Sequence, residues 1–316
     1  MKKIDILLST FNGEKYIKEL IDSLMKQTIT DWRLLIRDDG SLDNTIKIIS
    51  EYAKNNPDKI VFAEDKEKHL GACQSFARIL ELADADYIMF CDQDDVWLED
   101  KVEITFNKMQ EIEREFRDKP ILVHTDLKVV DQNLRIISES MWRYQKLQPE
   151  RKSLNYLLVQ NNVTGCTMMI NKKLKELVLS IPQEAMVHDW WMALIASALG
   201  EIGIVNESTI LYRQHGKNDI GAKKYSLKYF LARNFYSKKA KELFSKVLKQ
   251  SKVFQKTYDE RMDESGKKIV SCFSSLIEQP IYERIRSILK YRFTKYGLLR
   301  NLGFLGLILF LPKIKD

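Results

Sequence analysis

Four cysteines in 316 residues (Cys73, Cys91, Cys166, Cys272), with no Cys-x-x-Cys spacing and no paired pattern, argue against a zinc ribbon or a disulfide framework. A reducing cytosol fits them. No repeat or low-complexity stretch is present, which removes solenoid and fibrous architectures from consideration. No apolar run approaches the ~20 residues that a membrane-spanning helix requires; residues 302–311 offer ten. A secretory leader is not expected, because the apolar residues 4–8 are too few and Asp5 interrupts them. What remains, 45% hydrophobic and 30% charged, is the composition of a globular protein with a substantial core in one or two domains.

The charge is unevenly placed. Residues 1–215 hold 28 Lys/Arg against 35 Asp/Glu, a net −7, whereas residues 216–316 hold 23 against 9, a net +14. A basic tail suits nucleic acid or an anionic membrane surface. No nucleic-acid module accompanies the charge, so no nucleic-acid partner is expected. Instead the tail mixes Lys and Arg with Leu227, Phe230, Leu231, Phe235, Leu243, Phe244, Val247 and Leu248, then with Ile285, Ile288, Leu289, Tyr291, Phe293 and Tyr296, before the apolar run 302–311. Such helices suit the plane of a membrane interface; the same pattern also fits helices packed on the body of the protein. Gly221 and the charge shift place a boundary near 218–224, dividing a domain 1–220 from a basic helical region 221–316.

Ten residues carry most of the chemistry: Ile88-Met89-Phe90-Cys91-Asp92-Gln93-Asp94-Asp95-Val96-Trp97. The apolar run ending at Cys91 reads as a buried parallel strand. Sheets of α/β proteins bind ligands outside the carboxyl ends of their strands. Mg²⁺ and Mn²⁺ take oxygen ligands there and share their shell with water and phosphate. The Asp-x-Asp-Asp sequence therefore points to a metal–diphosphate site, against the plainer reading of a loop capped by Asp.

Upstream, the spacing predicts a strand at 3–10 and a helix with Tyr16, Ile17, Leu20, Ile21 and Leu24 inward. A strand at 32–36, a helix at 45–55, a strand at 60–63 and a helix at 71–82 follow. This βαβαβαβ order means a parallel sheet covered by helices. Right-handed crossovers then set Thr10, Asp39 and Asp92 at one edge. Further on, an apolar helix at 190–199 follows His188-Asp189, and a strand at 208–212 leads into Arg213-Gln214-His215-Gly216-Lys217-Asn218.

Ser9-Thr10-Phe11-Asn12, Asp38-Asp39-Gly40-Ser41, Gly71 with Ser75-Phe76, and Asp92-Gln93-Asp94-Asp95 resemble the successive motifs of family 2 glycosyltransferases. That resemblance covers residues 1–215 and implies the GT-A fold, an α/β fold with a Rossmann-like, mostly parallel sheet, here followed by a C-terminal helical region. His188-Asp189-Trp190-Trp191 and the segment 212–218 resemble the bacterial rhamnosyltransferase-like branch. The resemblance implies that Ser9, Thr10 and Phe11 line a base pocket, although Phe11 also suits a core. It implies that Asp39 accepts the N3–H of a pyrimidine rather than serving only its turn, with Asp38 orienting the loop. Asp92 is implied to face the ribose and Asp94 to bind Mg²⁺ or Mn²⁺, with Asp95 the alternative ligand; Asp92 beside it and the His215 imidazole are the further expected metal ligands. Trp97 is expected to be packing.

Arg213 and His215, with Lys217, suit a loop closing over a diphosphate; an exposed linker is the plainer reading. Asp189 is the expected general base, taking the proton from an acceptor hydroxyl; its plainer role is a helix N-cap. His188 beside it tunes that base or is structural. Residues 161–166 are implied to lie under the acceptor, and one of Trp190 and Trp191 offers a face to a sugar while the other is core.

The combined expectation is an inverting, metal-dependent glycosyltransferase using a dTDP- or UDP-sugar, with dTDP-L-rhamnose favoured by the branch resemblance. Its expected acceptor is a polyprenyl-diphosphate-linked surface glycan. The expected location is cytoplasmic, peripheral on the inner face of the plasma membrane, with a homo-oligomer left open. One rival is a sugar nucleotidyltransferase, whose Gly-rich basic loop after strand one is replaced here by residues 9–14 with a single Gly. Another is an inactive membrane-bound assembly subunit, against which Asp92, Asp94 and Asp189 argue.

Overall fold

The computed structural model describes residues 3–178, 180–216, 221–222 and 238–310. Lys217, Asn218, Leu227, Phe230, Leu231, Phe235 and Leu311 lie outside the described residues.

The first third follows the expected alternation: β1 (Ile4–Thr10), α1 (Ile17–Met25), β2 (Trp32–Asp38), α2 (Thr45–Asn55), β3 (Ile60–Ala63), α3 (Gly71–Leu82) and β4 (Tyr87–Asp92). Helix α1 buries Ile17, Leu20, Ile21 and Leu24 completely, at i, i+3, i+4 and i+7. Each such side chain contributes about 1.5–3 kcal/mol. Asp5, the polar interruption of β1, is fully buried but satisfied. It accepts from Arg33 Nε (2.9 Å) and from the backbone N–H of Asp84 (2.9 Å) and Ala85 (3.1 Å).

The chain continues through β5 (Val96–Trp97), α4 (Lys101–Glu115), β6 (Ile121–Val130), β7 (Ile136–Ser138), α5 (Met141–Gln145) and α6 (Leu154–Leu157). A 3₁₀ turn (Gly165–Thr167) precedes β8 (Met168–Asn171), α7 (Lys172–Val178), α8 (His188–Leu199) and β9 (Glu201–Arg213). Trp97 is buried, as expected. The sheet order is β3-β2-β1-β4-β8-β6-β9-β5, with β7 on β6. β1 to β4 are parallel, and β6 and β9 are parallel to each other, but β8 runs against both β4 and β6. The sheet is thus mostly parallel; β8 is the reversed strand that splits it into halves, and β5 and β7 run antiparallel to β9 and β6 at its margin.

Two expected boundaries move. Helix α8 starts at His188 rather than Trp190. Strand β9 starts at Glu201 rather than Ser208. Its register on β6 jumps from Thr125↔Val205 to Asp126↔Ser208, so the exposed Asn206 and Glu207 bulge out and hide the strand's first half from its hydrophobic pattern.

The tail forms α9 (Lys238–Tyr258), α10 (Glu264–Ser274), α11 (Ile281–Tyr291) and α12 (Leu298–Phe310). These helices do not keep to a core of their own. One hydrophobic cluster runs from Leu157 and Trp191 into Phe254, Phe273 and Phe304. Trp191 meets Phe254 edge-on at 5.5 Å. Tyr258 Oη donates to the carbonyl of Leu177 (2.8 Å), and Gln250 Oε1 accepts from Met186 N (2.7 Å). The apolar run near the C-terminus turns Phe304, Leu307 and Ile308 inward, so this part of the run packs on the body of the protein, the second of the two expected arrangements. Among the described residues, no helix is long and apolar enough to cross a membrane.

Candidate active site

Because β1 pairs with both β2 and β4, their carboxyl ends lie side by side. Thr10 is buried, and its Oγ1 donates to Asp38 Oδ2 (2.8 Å). Asp38 Oδ1 accepts from the N–H of Gly40 (3.0 Å) and Ser41 (2.7 Å), so Asp38 shapes the turn, in which Gly40 holds φ +98°. Ser9 Oγ donates to Ser75 Oγ (2.6 Å). Both hydroxyls are thus engaged by neighbouring side chains.

Asp39 is buried and held by three donors: Arg37 Nη1 (2.8 Å), Leu70 N (2.9 Å) and Gly71 N (2.8 Å). Burial raises its pKa, but the Arg37 guanidinium and the two amides outweigh that, and the carboxyl sits below its ordinary range. It stays ionised, as an acceptor for a base N–H must. Phe11 is 45% exposed rather than core, and its ring lies edge-on to His69 at 5.8 Å.

Gln93, the middle residue of the acidic motif, grips the same loop. Its Oε1 accepts from Phe11 N (3.0 Å) and its Nε2 donates to Phe11 O (2.9 Å). The amide thus pairs with the backbone as a neighbouring strand would, tying Phe11 to the metal-type carboxylates.

The long β6–β9 ladder delivers the residues after Arg213 to the end of β4. His215 Nε2 lies 2.7 Å from Asp94 Oδ2, and its ring stacks on Tyr16 at 5.0 Å. Asp95 is wholly buried; its Oδ1 accepts from Arg213 N (3.1 Å), and its Oδ2 has no hydrogen-bond partner among the described residues. Burial, then the neighbouring Asp94 and Asp92, drive the Asp95 carboxyl well above its ordinary range. Arg213 is buried as well, with Nε on Asp94 O (2.8 Å), Nη1 on Gln132 O (2.8 Å) and Nη2 on Glu19 Oε2 (2.6 Å). The expected closing-loop arginine is here a fixed strut between β9, α1 and the acidic loop.

The expected Asp92–Asp94–His215 set is thus half assembled: Asp94 and His215 touch. Among the described residues, the cluster with three ligand atoms within 4.8 Å is Asp92, Asp95 and Cys166. Burial pushes the Cys166 thiol well above its usual pKa, so it remains protonated and a poor ligand. Crowded carboxylates, an orphaned Asp95 oxygen and an imidazole on Asp94 suit Mg²⁺ or Mn²⁺, whose positive charge would relieve the repulsion that Asp95 records.

Asp189 is the second residue of α8. Val187 occupies the N-cap position, so the capping alternative falls away. Asn161 Nδ2 donates to Asp189 Oδ1 (3.0 Å). Burial raises the Asp189 pKa to about 6, despite the amides of Trp190 and Gly165 and the Asn161 side chain. A carboxylate so poised is ionised at neutral pH yet basic enough to take a proton. His188 is buried against Phe76 (4.2 Å) and Phe90 (5.3 Å), and burial lowers its pKa to about 3, so its ring is neutral. Trp190 and Trp191 are both core, with Trp190 Nε1 donating to Leu157 O (2.6 Å).

Gly165 explains how the two halves meet. A Cβ there would stand 2.7 Å from His188 Nε2 and 3.4 Å from Asp189 Oδ2. Its neighbour Cys166 has its Sγ within 4.8 Å of the Asp92 and Asp95 carboxylates. Consecutive Cα atoms are ~3.8 Å apart. Asp189 and the acidic cluster therefore flank one peptide unit. Arg37, Gln93, Tyr16 and Asn161 complete the site. Asn161 and Gln93 lie in segments that the sequence singles out without giving those side chains a role; Tyr16 lies on the inward face of an expected helix, and Arg37 just past the expected strand 32–36, inside the longer β2.

A mostly parallel α/β sheet with carboxylates gathered at its strand ends has the GT-A architecture of enzymes that transfer activated sugars. The chain belongs to Glycosyl transferase family 2, which it matches over residues 5–178, more than half its length. It is 27% identical over 226 residues to dTDP-rhamnosyl transferase RfbG of Shigella flexneri, an alignment covering 68% of this chain and 74% of that one. It is 25% identical over 171 residues, 54% of this chain and 61% of its relative, to UDP-Glc:alpha-D-GlcNAc-diphosphoundecaprenol beta-1,3-glucosyltransferase WfgD of Escherichia coli. In fold it is similar to S. aureus TarS 1-349 in complex with UDP-GlcNAc (TM-score 0.55, 16% identity, 92% of this chain and 89% of that one). Family membership sets the nucleotidyltransferase rival aside.

Proposed function

We propose that the protein is an inverting, metal-dependent glycosyltransferase that moves L-rhamnose from dTDP-L-rhamnose onto a polyprenyl-diphosphate-linked glycan at the cytoplasmic membrane face. The observation that carries this reading is the placement of Asp189 and the Asp92 cluster on either side of Gly165-Cys166. In this reading ionised Asp189 takes the proton of an acceptor hydroxyl as that oxygen attacks the anomeric carbon. The bond from that carbon to the diphosphate breaks on the opposite face, which inverts the centre without a covalent enzyme intermediate. Asp39 and Phe11 hold the base, and Asp94, Asp92 and His215 hold the cation. When bound, the cation neutralises charge on the departing diphosphate. The donor follows the likeness to RfbG, and the lipid-linked acceptor the likeness to WfgD.

A thermal-shift screen of dTDP-, UDP- and GDP-sugars with Mn²⁺ tests the donor. A ligand at a hundred times its Kd adds about 2.7 kcal/mol to the native state. The largest shift is expected with dTDP-L-rhamnose; a larger shift with a GDP-sugar would overturn the assignment to a pyrimidine.

Gln93→Ala removes two hydrogen bonds that position Phe11. At about 0.5–1.5 kcal/mol each, their loss should raise the donor KM roughly tenfold with kcat little changed, as steady-state kinetics would show. A kcat defect with unchanged KM would place Gln93 in the chemistry instead.

A further inference from the structure

We infer that α11 docks the enzyme on an anionic lipid bilayer through Ile281, Tyr282, Ile285 and Leu289. The inference deepens the proposed membrane location and rests on that reading only for the lipid-linked acceptor. It moves the contact away from the C-terminal apolar run, whose inward side chains fill the core.

Helix α11 has a buried face and an exposed apolar one. Ile288 faces inward with Ser287 and with Arg284, whose Nη1 donates to Ile308 O (2.6 Å). Ile281, Tyr282, Ile285 and Leu289 face outward, with Tyr282 71% and Leu289 73% exposed. At about 100° per residue these four side chains span an arc of about 100°, an unbroken stripe along the helix. Scattered single apolar residues on a surface need no explanation, but a stripe on one helix face does. The exposed Arg286 and Lys290 border the stripe, and Arg292 follows at the helix end. Glu283 is the single acidic residue between 281 and 310. Its pairing with Arg286 is loose, at 3.7 Å and largely exposed. Past the turn, Leu298 and Leu302 of α12 are also exposed, at i and i+4.

An apolar stripe bordered by Lys and Arg matches an interfacial helix, with side chains entering the acyl boundary and cations on the headgroups. A second copy of this chain fits less well. A two-fold contact would set Arg286, Lys290 and Arg292 against their own copies. Four side chains also fall short of the ~800 Å² per partner that a stable interface buries.

The test uses full-length protein and vesicles of phosphatidylcholine alone or with one part in four phosphatidylglycerol, with no sugar donor present. Wild type should cosediment with the anionic vesicles and stay in solution with the neutral ones. Ile285→Asp/Leu289→Asp should lower the bound fraction at least tenfold at every salt concentration. Arg286→Glu/Lys290→Glu should lower it mainly at low salt. All these side chains are exposed, so melting temperature and the dTDP-induced thermal shift should match wild type, keeping a failed docking surface distinct from a failed assignment of the catalytic site. Sedimentation of both double variants like wild type would overturn the inference. So would a wild type that ignores anionic vesicles, or one whose mass in light scattering is that of a dimer, with Ile285→Asp/Leu289→Asp monomeric.

Discussion

Asp189→Asn should lose sugar transfer by about 10²–10⁴-fold and at the same time raise the melting temperature at pH 7.5. Both effects have one cause. Burial lifts this carboxyl to about 6 from the ordinary carboxylate range, so its ionised form is held against a solvation cost. Two pKa units correspond to about 3 kcal/mol, an upper figure because Asn forgoes the charge in its bonds with Asn161, Gly165 and Trp190. The sign follows from the raised value. Between about pH 4 and pH 6 the unfolded chain gives up this proton before the folded one does, so stability falls as pH rises, and the penalty is complete above 6. The gain in melting temperature should accordingly vanish near pH 4, which calorimetric scans at pH 4 and 7.5 would show. In the wild type, kcat should fall tenfold per pH unit below an apparent pKa near 6. Transfer by Asp189→Asn near the wild-type rate, or a flat rate profile through pH 6, would remove Asp189 as the base.

Asp94→Ala should abolish cation-dependent donor binding and reduce kcat/KM by on the order of 10³ or more, since the charge supplied at a leaving group is worth several kcal/mol. Asp94 is the carboxylate that His215 Nε2 reaches, at 2.7 Å, so the two side chains converge on one point from opposite halves of the sheet. Titration of dTDP with and without Mn²⁺ by calorimetry measures the effect. In Asp94→Ala the Mn²⁺-dependent increment should be lost, and in His215→Ala it should shrink. An unchanged increment in Asp94→Ala would move the cation to Asp92 and Asp95, which already share a cluster with Cys166.

The positions of the site residues were legible to differing degrees. Asp39, Asp92 and Asp94 stand at the ends of strands whose apolar runs are local, so a strand-end carboxylate announces itself. Gln93 stood in plain view but unread, because its partner is the backbone of Phe11, far away in sequence. The burial of Arg213 escapes local pattern for a related reason. A basic residue after a short strand looks like a loop, and only the longer β9, with its bulge at Asn206 and Glu207, draws it into the interior. The tail is basic and amphipathic, but composition does not say which face of a helix finds a partner. In α11 one face does and the other does not.

The sequence by itself determined the βαβαβαβ half of the sheet, the carboxylate motif at its edge and the family to which they belong. Hydrophobic period, turn residues and strand-end acids are all set by neighbours within a few positions, and parallel βαβ units fold back with one hand. The tertiary structure decided what depends on distant pairings. The reversed β8 brings Gly165-Cys166 between Asp189 and the acidic cluster, and the β6–β9 ladder carries His215 to Asp94. Burial, which no local pattern measures, then raises Asp189 to about 6 and keeps Asp39 ionised only because Arg37 and two amides face it.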